Sequence, residues 1–435
     1  MKRETEESKG LSRRKFIANA AALSAFFIVP RFVLGGKGYT APSDMITLGY
    51  IGAGRQAINL QKSFLKTDEA KIIAACDVYK DKVESFVKQV NAFYAEKAGE
   101  TTYEGCRSYA NFMDLLDQKD IDAVVIATPD HWHAAMVVRA AKAGKDIYSE
   151  KPLSLTVKEG RAMVDAVNKH GRVFQTGSMQ RSMPEFRQAV ELIRNGYLGN
   201  LKSVKVSIGG PPVPYDLPEE PLPAGLDWNF WLGPNEYVAY NHQLNPVLGD
   251  PLWGRWRDFK GLGGGDMTDW GAHMFDIVQW ALDMDRSGPV EIIPPNGKDV
   301  TALTYKYDNG ITVTKEDFGK KHAIQFTGSD GQIEIQRGKL VTTPASLKDK
   351  VIGENEKRVY NSPNHYKDFL NAIRKRSQPV SDIETGHRSA TVCNIGNIAY
   401  ELNRPLRWNP KKEKFKNDEQ ANALLSRPMK KEWAV

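Results

Sequence analysis

The chain has 435 residues, 41% of them hydrophobic and 26% charged, with a formal net charge of +7. That length supports two or three domains with cores of their own, and the composition is that of a globular protein. Residues 1–40 alone carry +5 of the charge; the rest has too little positive excess for a nucleic-acid surface, so no nucleic-acid partner is expected.

Residues 1–40 read as a targeting leader. Ser12-Arg13-Arg14-Lys15-Phe16-Ile17 is a twin-arginine pattern, followed by an apolar, Ala-rich stretch from Ile17 to Val29. The stretch is shorter than the ~20 residues a spanning helix needs. Such signals export proteins already folded, often with cofactor bound. A periplasmic protein without a stable membrane anchor is therefore expected, and no cysteine follows the stretch to carry a lipid. Cys76, Cys106 and Cys393 are scattered, without metal spacing and odd in number, which argues against a disulfide framework.

Residues 44–178 alternate strand and helix, the pattern of a doubly wound parallel α/β sheet. Expected strands are Ile46–Ile51, Lys71–Cys76, Ala123–Ala127, Asp146–Ser149 and Val173–Thr176. The first βα turn is Gly52-Ala53-Gly54-Arg55-Gln56-Ala57. Gly52 suits the tight turn, Gly54 admits a diphosphate, and small Ala57 lets the helix press on its strand. Arg55 and Gln56 open that helix, whose positive end faces the phosphates. Asp77 ends the second strand, where a carboxylate binds ribose hydroxyls and repels the 2′-phosphate of NADP, so NAD is the expected cofactor. Thr128, Pro129, His131 and His133 follow a buried strand, at the sheet edge where cofactor crevices form. Both histidines could touch the nicotinamide half of the dinucleotide; capping of the next helix is an equal alternative for Asp130 and His131. Glu150-Lys151-Pro152 follows the next strand, with Lys151 suited to proton transfer and Glu150 placed to hold it.

Residues 179–410 form the second domain. A helix is expected at Pro184–Asn195 and a strand at Leu201–Ile208, then a Pro- and aromatic-rich segment through Asn245. Trp253 and Trp256 suit the C–H faces of a sugar, with Arg181 and Arg255 bonding hydroxyls; Trp231 reads better as core. The spacing predicts one helix over Asp266–Leu282, on which Asp269 and His273 share a face as a proton relay. No third ligand accompanies the pair, so no metal is expected. Hairpin strands follow between residues 302 and 336, and helices at Tyr366–Arg376 and Thr385–Leu402, residues 361–403 packing back on the first domain. His365, Tyr366 and His387 are weaker candidates for the cleft rim. Residues 411–435 read as a solvated tail.

Together, Gly52-Ala53-Gly54, Ala74-Ala75-Cys76-Asp77, Ala127-Thr128-Pro129-Asp130, Glu150-Lys151-Pro152 and the run from Gly265 to His273 resemble the Gfo/Idh/MocA family of glucose–fructose oxidoreductase and inositol dehydrogenase. The resemblance spans residues 44–410. It implies an NAD-dependent oxidoreductase of sugars, cyclitols or their derivatives, with Lys151 near the nicotinamide and His273 as acid/base oriented by Asp269. It also implies a second domain with a large, mainly antiparallel open sheet used in a homo-oligomer, dimer or tetramer. The tryptophan-rich segment is similar to that of a secreted bacterial subgroup. Export argues for tightly held NAD. The alternatives are an NAD-dependent glycosidase or lyase working through a transient 3-keto sugar, and a non-catalytic sugar-binding protein. Family members that cleave N-acetylgalactosaminides lack the Glu-Lys-Pro motif, which favours the dehydrogenase.

Overall fold

The computed structural model describes residues 44–435; the twin-arginine leader lies outside them. Six strands build the first sheet: β1 (Ile46–Ile51), β2 (Ala70–Cys76), β3 (Arg107–Tyr109), β4 (Ala123–Ile126), β5 (Asp146–Ser149) and β6 (Phe174–Thr176). All run parallel in the order β3-β2-β1-β4-β5-β6. The order reverses between β1 and β4, where ligand crevices open in doubly wound sheets. Central strands are covered on both faces, which is why all four residues of Ala-Val-Val-Ile in β4 are apolar and buried. Strand β3 escaped the sequence reading because Arg-Ser-Tyr offers no apolar run; the edge of β2 recruits it.

Nine strands build the second sheet: β7 (Leu201–Ser207), β8 (Glu291–Ile293), β9 (Leu303–Lys306), β10 (Thr312–Lys315), β11 (Ala323–Gly328), β12 (Gln332–Gln336), β13 (Lys339–Thr343), β14 (Leu406–Asn409) and β15 (Lys414–Phe415). Their order is β13-β12-β11-β7-β10-β9-β8-β14-β15. Only β7 and β10 pair parallel, so the sheet is mainly antiparallel. Alternation sets its buried face: Gln-Ile-Glu-Ile-Gln in β12 buries Ile333 and Ile335. Phe186 and Phe275, from helices Pro184–Arg194 and Gly271–Ala281, join Val204 and Phe326 in that core.

Two expectations are corrected by packing. The single helix over Asp266–Leu282 is two, Asp266–Asp269 and Gly271–Ala281, meeting at Trp270. The Asp269 carbonyl accepts from the Lys151 ammonium at 2.9 Å, and the His273 N–H turns to the Trp270 carbonyl instead. Residues 411–435 are no solvated tail: Phe415 and Leu425 are buried, and the Trp433 ring stacks on Phe230 with centroids 5.6 Å apart. Glu413, set among lysines in sequence, turns inward to accept from Arg161 and meet His387. Phe369 and Leu370 of helix His365–Lys375 lie in one cluster with Leu48, Tyr50 and Phe64 of the first domain.

Candidate active site

The cleft over the carboxyl edge of the first sheet has a volume of about 1190 Å³. That exceeds the roughly 300–1,000 Å³ of a drug-sized ligand site, so a large ligand has room there. The glycine turn lines the cleft. Gly52 has φ +94°, and a Cβ there would stand 2.6 Å from the Ala127 carbonyl oxygen. Gly54 faces open space, with nothing within 4 Å of its would-be Cβ, and precedes helix Arg55–Leu65 with no side-chain cap. The first helical N–H groups are thus left for an anion. These residues fit the diphosphate of a dinucleotide. Replacing Gly52 by valine should abolish dinucleotide binding, read as dinucleotide released on denaturation of the purified protein; retention at wild-type stoichiometry would contradict the assignment.

Asp77 accepts from the Ala53 N–H at 2.7 Å and the Tyr79 N–H at 2.9 Å. Burial raises its pKa, against Lys82 and these N–H groups. Arg55 donates to the Pro251 carbonyl and lies over the Trp253 ring at 4.6 Å. Gln56 donates to Glu150 at 3.0 Å. Thr128 and Pro129 line the cleft.

The same cleft gathers Lys151, Asp269, Trp270 and His273. Here the pairing expected from sequence is corrected twice. Glu150 bonds Gln56 and the Lys151 backbone N–H, not the ammonium; the ammonium goes to the Asp269 carboxylate at 2.5 Å. Burial would raise the Asp269 carboxyl, but Lys151 and Arg257 outweigh it and hold it below its ordinary value. Asp269 therefore serves Lys151 rather than His273. His273 meets the Arg337 guanidinium, Nε2 to Nη2, at 2.9 Å, and its buried Nδ1 has no partner among the described residues. Burial first, then the cations Lys151 and Arg337, push its pKa well down, leaving a neutral imidazole.

Several candidates do not reach the cleft. His131 is fully buried between the Trp231 and Leu262 carbonyls. His133 is fully buried too, its Nδ1 2.9 Å from the Pro152 carbonyl and its Nε2 3.1 Å from the Thr128 carbonyl; the single N–H of the neutral ring donates to one of them. Both sit on helix Asp130–Lys142, which turns that face into the core. His365 and His387 are likewise buried, against Ser182 and Glu413; Tyr366 does line the cleft. Arg181, expected on a sugar hydroxyl, is 2% exposed and locked between Asp276 at 2.8 Å and Asp285 at 2.7 Å. Trp253 (43% exposed) and Trp256 line the cleft, and so does Arg255, which pairs with Asp258 at 2.9 Å. Trp231 stacks on Trp228 as core, its ring centroid 4.4 Å away. Arg257 and Arg337 were missed. Arg257 had a signal in the aromatic-rich Trp-Gly-Arg-Trp-Arg run; Arg337, on a distant hairpin, had none.

The buried histidines predict acid lability. Burial first, helped by the Arg427 and Arg181 cations, lowers His131 to about 3 and His365 to about 4, against ~6.5 in an unfolded chain. Below that value the unfolded chain binds protons the native one refuses, so stability falls with pH. By pH 5 the two together should cost about 4 kcal/mol. Melting profiles from pH 7 to pH 5 check this, and a flat midpoint would contradict it.

A doubly wound nucleotide-binding domain, a second domain on a mainly antiparallel sheet and a cleft holding a Lys–Asp pair define a two-domain oxidoreductase. The family model for the oxidoreductase family NAD-binding Rossmann fold matches residues 46–178, and that for the family's C-terminal alpha/beta domain matches residues 213–435. The chain belongs to the Gfo/Idh/MocA oxidoreductase family. It is 30% identical over 324 residues to the uncharacterized oxidoreductase YrbE of Bacillus subtilis, covering 71% of this chain and 79% of that protein. It is 27% identical over 250 residues to a glycosyl hydrolase family 109 protein of Stenotrophomonas maltophilia, covering 55% of this chain and 53% of that one. In fold it is similar to aldose-aldose oxidoreductase from Caulobacter crescentus, with TM-score 0.58 and 19% identity over 83% of this chain and 99% of that one.

Proposed function

We propose that the protein oxidises a carbinol of a sugar, cyclitol or sugar derivative with tightly held NAD, and that it works after export, as a homo-oligomer. The observation that carries the reading is Lys151, clasped by both the carboxylate and the carbonyl of Asp269 beside a neutral His273, in the cleft that Gly52 and Gly54 line. NAD, when bound, supplies the hydride acceptor. Gly52, Gly54 and the helix N-terminus would hold its diphosphate and Asp77 its adenosine ribose, which is also the ground for preferring NAD to NADP. Arg55, tied to Pro251 and Trp253, brings residues 251–253 over the turn and supports tight holding. In the same cleft the Lys151 cation steadies negative charge growing on the hydroxyl oxygen, and the His273 imidazole takes the hydroxyl proton. Trp253 and Trp256 offer apolar faces to the sugar ring.

The glycosyl hydrolase family 109 relatives favour a second reading, in which the hydride returns after a leaving group is expelled. One experiment separates the two: purified protein is denatured to assay released dinucleotide, and native protein is incubated with sugars and glycosides. A keto-sugar with matching NAD reduction, or reduction of a second sugar, supports the first reading. Glycoside cleavage without net NADH supports the second, and absence of any bound or bindable NAD would remove both.

A further inference from the structure

Charge balance in the cleft points to the chemical class of the sugar; the inference rests on the oxidoreductase reading. Among the cations lining the cleft, Lys151, Arg255 and Arg257 each have a carboxylate at ion-pair distance, and Lys82 lies in the field of Asp77. Among the described residues, Arg55 and Arg337 make no ion pair, although Arg337, like Lys82, feels carboxylates beyond ion-pair distance, those of Glu150 and Asp269. The first stands at the phosphate turn, where an anion belongs. The second lines the cleft against His273, at the proposed reacting group, so the same physical argument asks for an anion there.

Arg337 is held for such a task. It sits at the two-residue turn between β12 and β13, whose Gly338 N–H donates to Glu185 at 2.8 Å. Its guanidinium lies over the Trp270 ring at 4.7 Å. Nε donates to the Gln180 amide oxygen at 3.1 Å, in the amide orientation that also satisfies the His273 carbonyl. Nη2 donates to His273 Nε2 at 2.9 Å. Among the described residues no partner takes Nη1. A guanidinium donates only, so His273 Nε2 is the acceptor nitrogen of the ring and is capped while Arg337 stays on it.

We propose that the sugar carries an anionic group, a carboxylate or a phosphate, and that Arg337 receives it, turning from His273 Nε2 and leaving that nitrogen to the reacting hydroxyl. The planar fork matches either group in a way that a neutral hydroxyl does not.

The test measures calorimetric binding to dinucleotide-loaded protein of matched sugars: glucose, glucuronate and glucose 6-phosphate, with galactose and galacturonate in parallel. An acidic member should bind about 10- to 100-fold more tightly than its neutral parent, the range of a charge-assisted bond. The uronate and phosphate arms tell which anion the site takes. In Arg337→Gln the ratio should collapse to near one, and Arg337→Lys, which keeps charge without the fork, should fall between. Equal or weaker binding of every acidic sugar, or a preference surviving in Arg337→Gln, overturns the proposal. Loaded protein that oxidises neutral sugars better than their uronates leaves the oxidoreductase reading standing and removes this one. Protein that binds no dinucleotide removes both.

Discussion

Lys151→Met lowers kcat by roughly 10²- to 10⁴-fold, the contribution of a positioned charge or proton donor at the reacting group, while dinucleotide content stays at the wild-type level. The ammonium bonds the carboxylate and the carbonyl of Asp269 and not the glycine turn, so its loss leaves the phosphate site intact. Methionine keeps the length of the stem and removes the ammonium, with its charge and its two bonds to Asp269. Asp269 is then left with Arg257 alone, at 3.7 Å, and Asp269→Asn should reproduce part of the defect by loosening Lys151. Single-turnover reduction of bound NAD by a substrate sugar is the measurement. A Lys151→Met protein that transfers hydride at the wild-type rate would place the reacting carbon elsewhere in the cleft.

Arg181→Met destabilises the fold by roughly 3–5 kcal/mol, the cost of stranding a buried charge. Asp276 is 0% exposed; without Arg181 it keeps, among the described residues, only Ser389, whose hydroxyl donates at 2.7 Å. Asp285 also loses its guanidinium partner. The double substitution Arg181→Met with Asp276→Leu should recover much of the loss, since apolar groups replace a buried pair at little cost. Thermal unfolding of the single and double variants checks both statements. A normal melting temperature combined with a raised KM would return Arg181 to the role the sequence suggested.

The contrast between these two residues shows where sequence reasoning succeeds. Lys151 is locatable because its loop follows β5 directly, and a loop after a central strand of a parallel sheet opens at the ligand edge. The glycine turn and Asp77 follow from the same local rule, as do the strands of the first sheet built on continuous apolar runs. Arg181 carries no such local constraint. Whether an arginine faces a cleft or a buried carboxylate depends on Asp276 and Asp285, about a hundred positions away, and nothing in the intervening chain signals their meeting. Helical spacing also misled at Asp269 and His273: four residues apart predicts partnership, but the carbonyl diverted to Lys151 breaks the helix at Trp270 and parts them.

By itself, then, the sequence determined the two-domain α/β architecture, the nucleotide turn, and Lys151, Asp269 and His273 as residues of one cleft, because strand period and loop position are local properties. Partner choice was decided only by tertiary structure: Asp269 with Lys151, His273 with Arg337, Arg181 with Asp276 and Asp285, and His131 and His133 with backbone carbonyls. The physical reason is that a charge or an imidazole takes its role from the nearest groups in space and from burial. For these residues both are supplied by segments distant in the chain.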